Sequence, residues 1–139
     1  MNIRKYRQQA KKAGFRSKFE YDIAKYLEKN KISFKYEVCK LTYIVPETKR
    51  SYLVDWLIGD DPSFIYESKG RFTAADRKKM LLVKQCNPTK TIRMIFMNPS
   101  VRITKTSKVT YGDWCDKHGI EWCDWRKGLP KAWLKEASI

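Results

Sequence analysis

The sequence predicts an α/β fold, a mixed β-sheet flanked by helices, from three patterns. Apolar residues recur at helical spacing near the N-terminus. Aromatic and β-branched runs parted by turn residues fill the middle, and helix-capping patterns alternate with short apolar runs beyond them. A length of 139 residues suits one core. It divides into a basic arm over residues 1–14, free of acids and ending at Gly14, and a single domain over 15–139.

From Arg16 to about Asn30, Phe19, Ile23, Tyr26 and Leu27 form one buried stripe, which predicts a first helix. Segments 34–45, 51–58 and 63–69 predict three strands, separated by Pro46-Glu47-Thr48-Lys49-Arg50 and by Gly59-Asp60-Asp61-Pro62. Thr73-Ala74-Ala75-Asp76 has the form of a capping box opening a second helix to about Gln85, which Asn87-Pro88 stops. Thr91 to Met97 alternates as a fourth strand. Thr110 to His118 predicts a short helix closed by Gly119, Ile120 to Cys123 a last strand, and Pro130 a terminal helical turn ending near Glu136.

With 42% hydrophobic and 14% aromatic residues the chain holds too much buriable surface for a disordered polycation. No apolar run approaches the ~18 residues of a membrane span, and Met1-Asn2-Ile3-Arg4-Lys5 lacks the apolar run of a secretory signal. Neither membrane insertion nor export is expected. Thirty Lys and Arg against fifteen acids give a net charge of +15, which repels itself without a polyanionic partner, and nucleic acid is the default partner. A membrane-surface protein would concentrate its cations on one amphipathic helix, whereas here they run from Arg4 to Lys135. Arg4, Lys5, Arg7, Lys11 and Lys12 of the arm, and Arg102, Lys105 and Lys108 of the loop from Val101 to Lys108, are candidate phosphate contacts. The plainer readings are a solvated terminus and an ordinary polar loop.

Cys39, Cys86, Cys115 and Cys123 without an export signal point to a reducing compartment and free thiols. Cys115, His118 and Cys123 carry zinc-type donors, but the spacing lacks a paired second half, so buried thiols are the simpler reading.

The informative anomaly is Asp55, a carboxylate inside Tyr52-Leu53-Val54-Asp55-Trp56-Leu57-Ile58, a run otherwise suited to a strand buried on both faces. In the next strand Glu67 and Lys69 share one face. A hairpin turn centred on Asp61 sets Asp55 opposite Glu67 and Lys69 opposite Leu53, with Trp56 facing Tyr66 and Ile58 facing Phe64 on a packed reverse side. Carboxylates opposed at ~4.5–5.5 Å between β-carbons repel unless a cation lies between them. A divalent ion such as Mg²⁺ meets that need, and two acids with a lysine are the parts of a metal-dependent phosphodiesterase. The alternative is a cross-strand salt bridge of Lys69 with one acid. Glu20, at the rim of the first helix's stripe, is either a third site acid or the closing residue of the capping box Ser17-Lys18-Phe19-Glu20.

At these residues the chain resembles the phage endonuclease I family of Holliday junction resolving enzymes. The resemblance rests on Phe15-Arg16-Ser17 with Glu20, Val45-Pro46 before the Asp55 strand, Glu67-Ser68-Lys69-Gly70, Asp76-Arg77-Lys78-Lys79, and Tyr111-Gly112-Asp113 with Cys115 and Lys117-His118-Gly119-Ile120. It runs colinearly over about residues 13 to 136. It implies a PD-(D/E)xK (restriction-endonuclease-like) nuclease core, an element-exchanged homodimer, and metal-dependent cleavage of branched DNA, four-way junctions above all, in a bacterial host cytoplasm. It places the catalytic set on Glu20, Asp55, Glu67 and Lys69. The metal ligands become Asp55, Glu67, Glu20 and the carbonyl of Ser68, holding one or two Mg²⁺ ions with Mn²⁺ as a substitute. Arg16, Arg77 and Lys78 join the DNA-contact candidates. Two other readings stay open at this point: a non-catalytic architectural DNA-binding protein, and a sequence-specific or mismatch endonuclease on the same fold.

Overall fold

Ser17 opens the first helix, α1 (Lys18–Lys29), by accepting the Glu20 N–H on its hydroxyl, and the stripe Phe19, Ile23, Ala24 and Leu27 is buried as its spacing predicts. The chain, examined as a computed structural model, is described over residues 10–11, 13–45, 48–59 and 63–137. Arg4, Lys5, Arg7 and Lys12 lie outside the described residues, as do Pro46-Glu47 and the expected turn at Asp60-Asp61-Pro62. At the inner end of the arm Ala10 is buried, and its carbonyl accepts the Phe15 N–H.

Seven strands follow: β1 (Phe34–Tyr36), β2 (Lys40–Val45), β3 (Thr48–Leu53), β4 (Trp56–Ile58), β5 (Phe64–Lys69), β6 (Thr91–Phe96) and β7 (Glu121–Asp124). The helices α2 (Ala74–Cys86), α3 (Tyr111–Lys117) and α4 (Lys131–Ala137), with a 3₁₀ turn over Trp125–Lys127, complete the order among the described residues. Thr73 with Asp76 and Thr110 with Asp113 form full capping boxes at α2 and α3.

Two expected strands divide. The run 34–45 breaks at Glu37–Cys39, where Glu37 takes a left-handed φ of 52°, and the run 51–58 breaks at Val54-Asp55. The breaks are tied together: Glu37 N–H donates to the Asp55 carbonyl at 3.2 Å and Val54 N–H to the Cys39 carbonyl at 2.9 Å. As a result β1 and β4 enter a five-stranded sheet of order β1-β4-β5-β6-β7, while β2 and β3 form a separate antiparallel pair. The main sheet is mixed, antiparallel from β1 to β5 and parallel from β5 to β7.

The predicted β4–β5 register holds, with Trp56 against Tyr66. The pairing of Lys69 with Leu53 does not, because Leu53 lies beyond the break and pairs with Lys40. Nor does one face work while the other packs. Leu41, Tyr43 and Tyr52 of the β2–β3 pair share a core with Ile65, Met94, Phe96, Met80 and Val83 on one face. On the other, α1 and α4 bury Ile23, Leu27 and Trp133 against Trp56, Tyr66 and Ile95. The carboxylates therefore gather at the strand ends.

The expected loop from Val101 to Lys108 is present and is tied at its base: Arg102 bridges Thr110, and Ile103 N–H donates to the Val109 carbonyl at 2.9 Å. Behind it, a Cβ on Gly112 would stand 2.6 Å from the Trp122 ring. That indole is held by an Nε1–H bond to Asp116 Oδ1 at 2.8 Å. Gly112→Ala should therefore lower folding stability by about 1–3 kcal/mol through overpacking, read as a lower urea midpoint with an unchanged slope.

Candidate active site

The end of β5 carries Glu67, Ser68 and Lys69 up to the break in the neighbouring strand, which presents Asp55. Ser68 latches the two segments together. Its N–H donates to Asp55 Oδ2 at 3.0 Å, and the Ser68 hydroxyl donates to the same oxygen at 2.9 Å. The first turn of α1 brings in Glu20 from the opposite face of the sheet. Glu20, Asp55 and Glu37 each offer an oxygen within 4.8 Å of the others, the one group among the described residues spaced to hold a metal ion. They open on a cleft of about 260 Å³ that is also lined by Arg16, Ser68 and Lys69.

Glu67 stands behind this trio. It is 5% exposed, with the Tyr52 hydroxyl donating to Oε2 at 3.3 Å and Lys69 Nζ 3.6 Å from Oε1. Burial, followed by the charge of Asp55, pushes its pKa up to about 8 against the pull of Lys69. Burial likewise lifts Asp55, opposed by its bonds from Ser68. It lifts Glu20 too, opposed first by the Tyr36 hydroxyl, which donates to Oε2 at 2.5 Å. Lys69 also approaches Asp76 Oδ1 at 3.5 Å. Burial works against its charge, but Glu67, Asp76 and Asp55 outweigh it and hold Lys69 above the ordinary lysine range, hence a cation.

The expected Ser17 capping box closes by half: Ser17 accepts the Glu20 N–H, while the Glu20 carboxylate takes the Ser17 and Tyr36 hydroxyls and faces Asp55. Three contributors carried no sequence signal. Glu37 enters the trio through its left-handed backbone and pairs with Arg16 at 2.8 Å. Tyr36 and Tyr52 hold Glu20 and Glu67, and burial keeps both phenols protonated as donors. Asp76, foreseen only as a cap, also meets Lys69.

Among the DNA-contact candidates, Lys11, Arg16, Lys78, Arg102, Lys105 and Lys108 are exposed. Arg77 is partly buried and donates to the Phe72 carbonyl at 2.7 Å. Cys115 and Cys123 are buried thiols, each pushed up to about 12 chiefly by burial.

The phage endonuclease I family matches residues 1–139. The chain belongs to this family. It is 38% identical over 127 residues to Endonuclease I of Escherichia phage T7, spanning 91% of this chain and 82% of that protein. To Endodeoxyribonuclease 1 of Enterobacteria phage T3 it is 39% identical over 123 residues, 88% of this chain and 78% of that one. The resemblance read from the motifs is thus borne out as membership of the family.

The burial of Glu67, with Asp55 beside it, has a pH signature in metal-free protein. Unfolded, Glu67 titrates near the ordinary 4.5; folded, near 8. Between the two the folded state holds the extra proton, so stability falls as pH rises through this window, by at most about 1.4 kcal/mol per unit. Urea unfolding in EDTA from about pH 5 to about pH 8 should show this decline in the wild-type chain and a shallower one in Glu67→Gln.

Proposed function

We propose that this chain is a dimeric, structure-selective DNA endonuclease that resolves four-way junctions and other branched DNA by divalent-metal-dependent hydrolysis of phosphodiesters. The observation that carries the reading is the convergence of Glu20, Asp55, Glu67 and Lys69 at one sheet end, in a member of the phage endonuclease I family with a net charge of +15. In this reading the core is a PD-(D/E)xK nuclease domain over 15–139, preceded by a basic arm, and it works in the cytoplasm of a bacterial host.

The donors suit Mg²⁺, with Mn²⁺ able to replace it. Carboxylate and carbonyl oxygens are hard ligands, and burial disfavours the ionised form of all three acids, which a bound cation would stabilise. Asp55, Glu67, Glu20 and the Ser68 carbonyl would hold one or two ions. When bound, such an ion polarises a phosphoryl oxygen and lowers the pKa of water. The chain's own groups supply the remainder. Lys69 keeps a fixed positive charge at the cleft wall to stabilise the developing negative charge, and Glu20, anchored by Tyr36, faces Asp55 and orients the attacking water. Lys11, Arg16, Arg77, Lys78, Arg102, Lys105 and Lys108, joined by Arg4, Lys5, Arg7 and Lys12, contact phosphates and carry no sequence information. DNA shape is therefore what is read.

The deciding experiment compares a four-way junction with a linear duplex of the same sequence, each in Mg²⁺ and in EDTA. Cleavage of the junction in Mg²⁺ alone is expected. No cleavage anywhere would identify an architectural protein, and equal cutting of the duplex would identify a nuclease of other specificity. Asp55→Asn, Glu67→Gln and Lys69→Ala should each lower the nicking rate by orders of magnitude while gel-shift affinity for the junction stays near wild type, since affinity comes mainly from phosphate contacts.

In an element-exchanged dimer, the contacts made between residues before and after Pro46-Glu47, Glu20 with Asp55 among them, form between subunits. A purified heterodimer of differently tagged Glu20→Ala and Glu67→Ala chains should then have one intact site and one doubly damaged one. It should nick single strands but make no paired cuts. Without exchange it should be as inactive as either mutant homodimer.

A further inference from the structure

Trp56 opens β4 fully buried, its ring held by Phe15, Phe34 and Tyr36 at centroid separations of 5.9, 5.5 and 4.9 Å. An indole N–H can only donate. Its Nε1 lies 3.2 Å from Ser68 Oγ, so the serine oxygen accepts there, and the single hydroxyl proton goes to Asp55 Oδ2 at 2.9 Å. The Ser68 backbone N–H reaches the same oxygen at 3.0 Å. Donor chemistry thus sets the direction of every bond from Trp56 to Asp55. Both Ser68 bonds converge on one carboxylate oxygen, which fixes the carboxylate plane and leaves the other oxygen for a ligand.

We propose that the Trp56 indole and the Ser68 hydroxyl are positioning groups that hold the Asp55 carboxylate in the orientation a divalent cation requires. The proposal rests on the metal-dependent reading above. A buried indole N–H needs an acceptor wherever it lies, and a backbone carbonyl would satisfy it. The use of a side-chain hydroxyl that itself ends on a site carboxylate is what couples the aromatic core to the site. Groups standing behind a metal ligand typically govern its metal affinity by 10–100-fold.

The test is Mn²⁺ binding to the full chain without DNA, followed by electron paramagnetic resonance of free Mn²⁺, beside junction affinity in EDTA. Ser68→Ala keeps the backbone N–H and carbonyl, and should weaken Mn²⁺ binding about tenfold or more with junction affinity unchanged. Trp56→Phe should act in the same direction. The double variant should bind no more weakly than Ser68→Ala alone, because the indole acts through the hydroxyl. Ser68→Thr, which retains the hydroxyl, should bind Mn²⁺ close to wild type. Should Trp56→Phe fail to fold, the contrast of Ser68→Ala with Ser68→Thr decides. Wild-type Mn²⁺ affinity in Ser68→Ala would overturn the positioning role alone. Absence of Mn²⁺ binding in the wild-type chain would overturn the metal-dependent reading and the positioning role with it.

Discussion

Everything at the site depends on the latch between Asp55 and the end of β5. Were residues 51–58 one continuous strand, Asp55 would sit in mid-sheet with a carboxylate that burial penalises severely. The chain instead breaks at Val54-Asp55, turning the Asp55 carboxylate toward the Ser68 N–H and hydroxyl. Hydrogen bonds to charged groups are worth about 1.5–3 kcal/mol each. That offsets only part of the cost of holding two acids together out of water, as the raised pKa of both acids records.

The break also decides the architecture. It releases β3 from the main sheet, so that β2 and β3 lie over the face bearing Glu67 and lower Tyr52 onto it. A two-stranded pair is marginal alone, and this one is secured by burying Leu41, Tyr43 and Tyr52 against α2. The first turn of the same helix supplies Asp76, which caps α2 and restrains Lys69. Capping and restraint of the lysine are thus coupled in one carboxylate.

Much of this was legible in the sequence where a pattern repeats or a turn sets a register. The α1 stripe, the Thr73 capping box, the Trp56–Tyr66 pairing and the place of Glu20 at the stripe's rim all follow from spacing, and the motifs around Glu20, Glu67 and Tyr111 pointed to the family. What was hidden depends on three-dimensional context. The stretch from Phe34 to Val45 contains no Gly or Pro to announce its break, and the left-handed turn falls on Glu37, a residue that rarely adopts it. The contacts of Tyr36 and Tyr52 exist only once α1 and the β2–β3 pair have closed around β5. Aromatic residues in a strand run look like core until one of their hydroxyls is seen to end on an acid.

Glu20, Glu37, Asp55, Glu67 and Asp76 are five of the fifteen acids in the chain, drawn into one small volume. The rest of the surface is left more one-sided in sign than composition alone conveys, a negative well sunk in a positive field. In the proposed metal-dependent enzyme such segregation would make cation and polyanion uptake mutually reinforcing: a polyanion on the surface cancels the field that repels a small cation from the well, and a cation in the well removes the charge that would repel an approaching backbone. Thermodynamic reciprocity then requires each to tighten the other by the same factor.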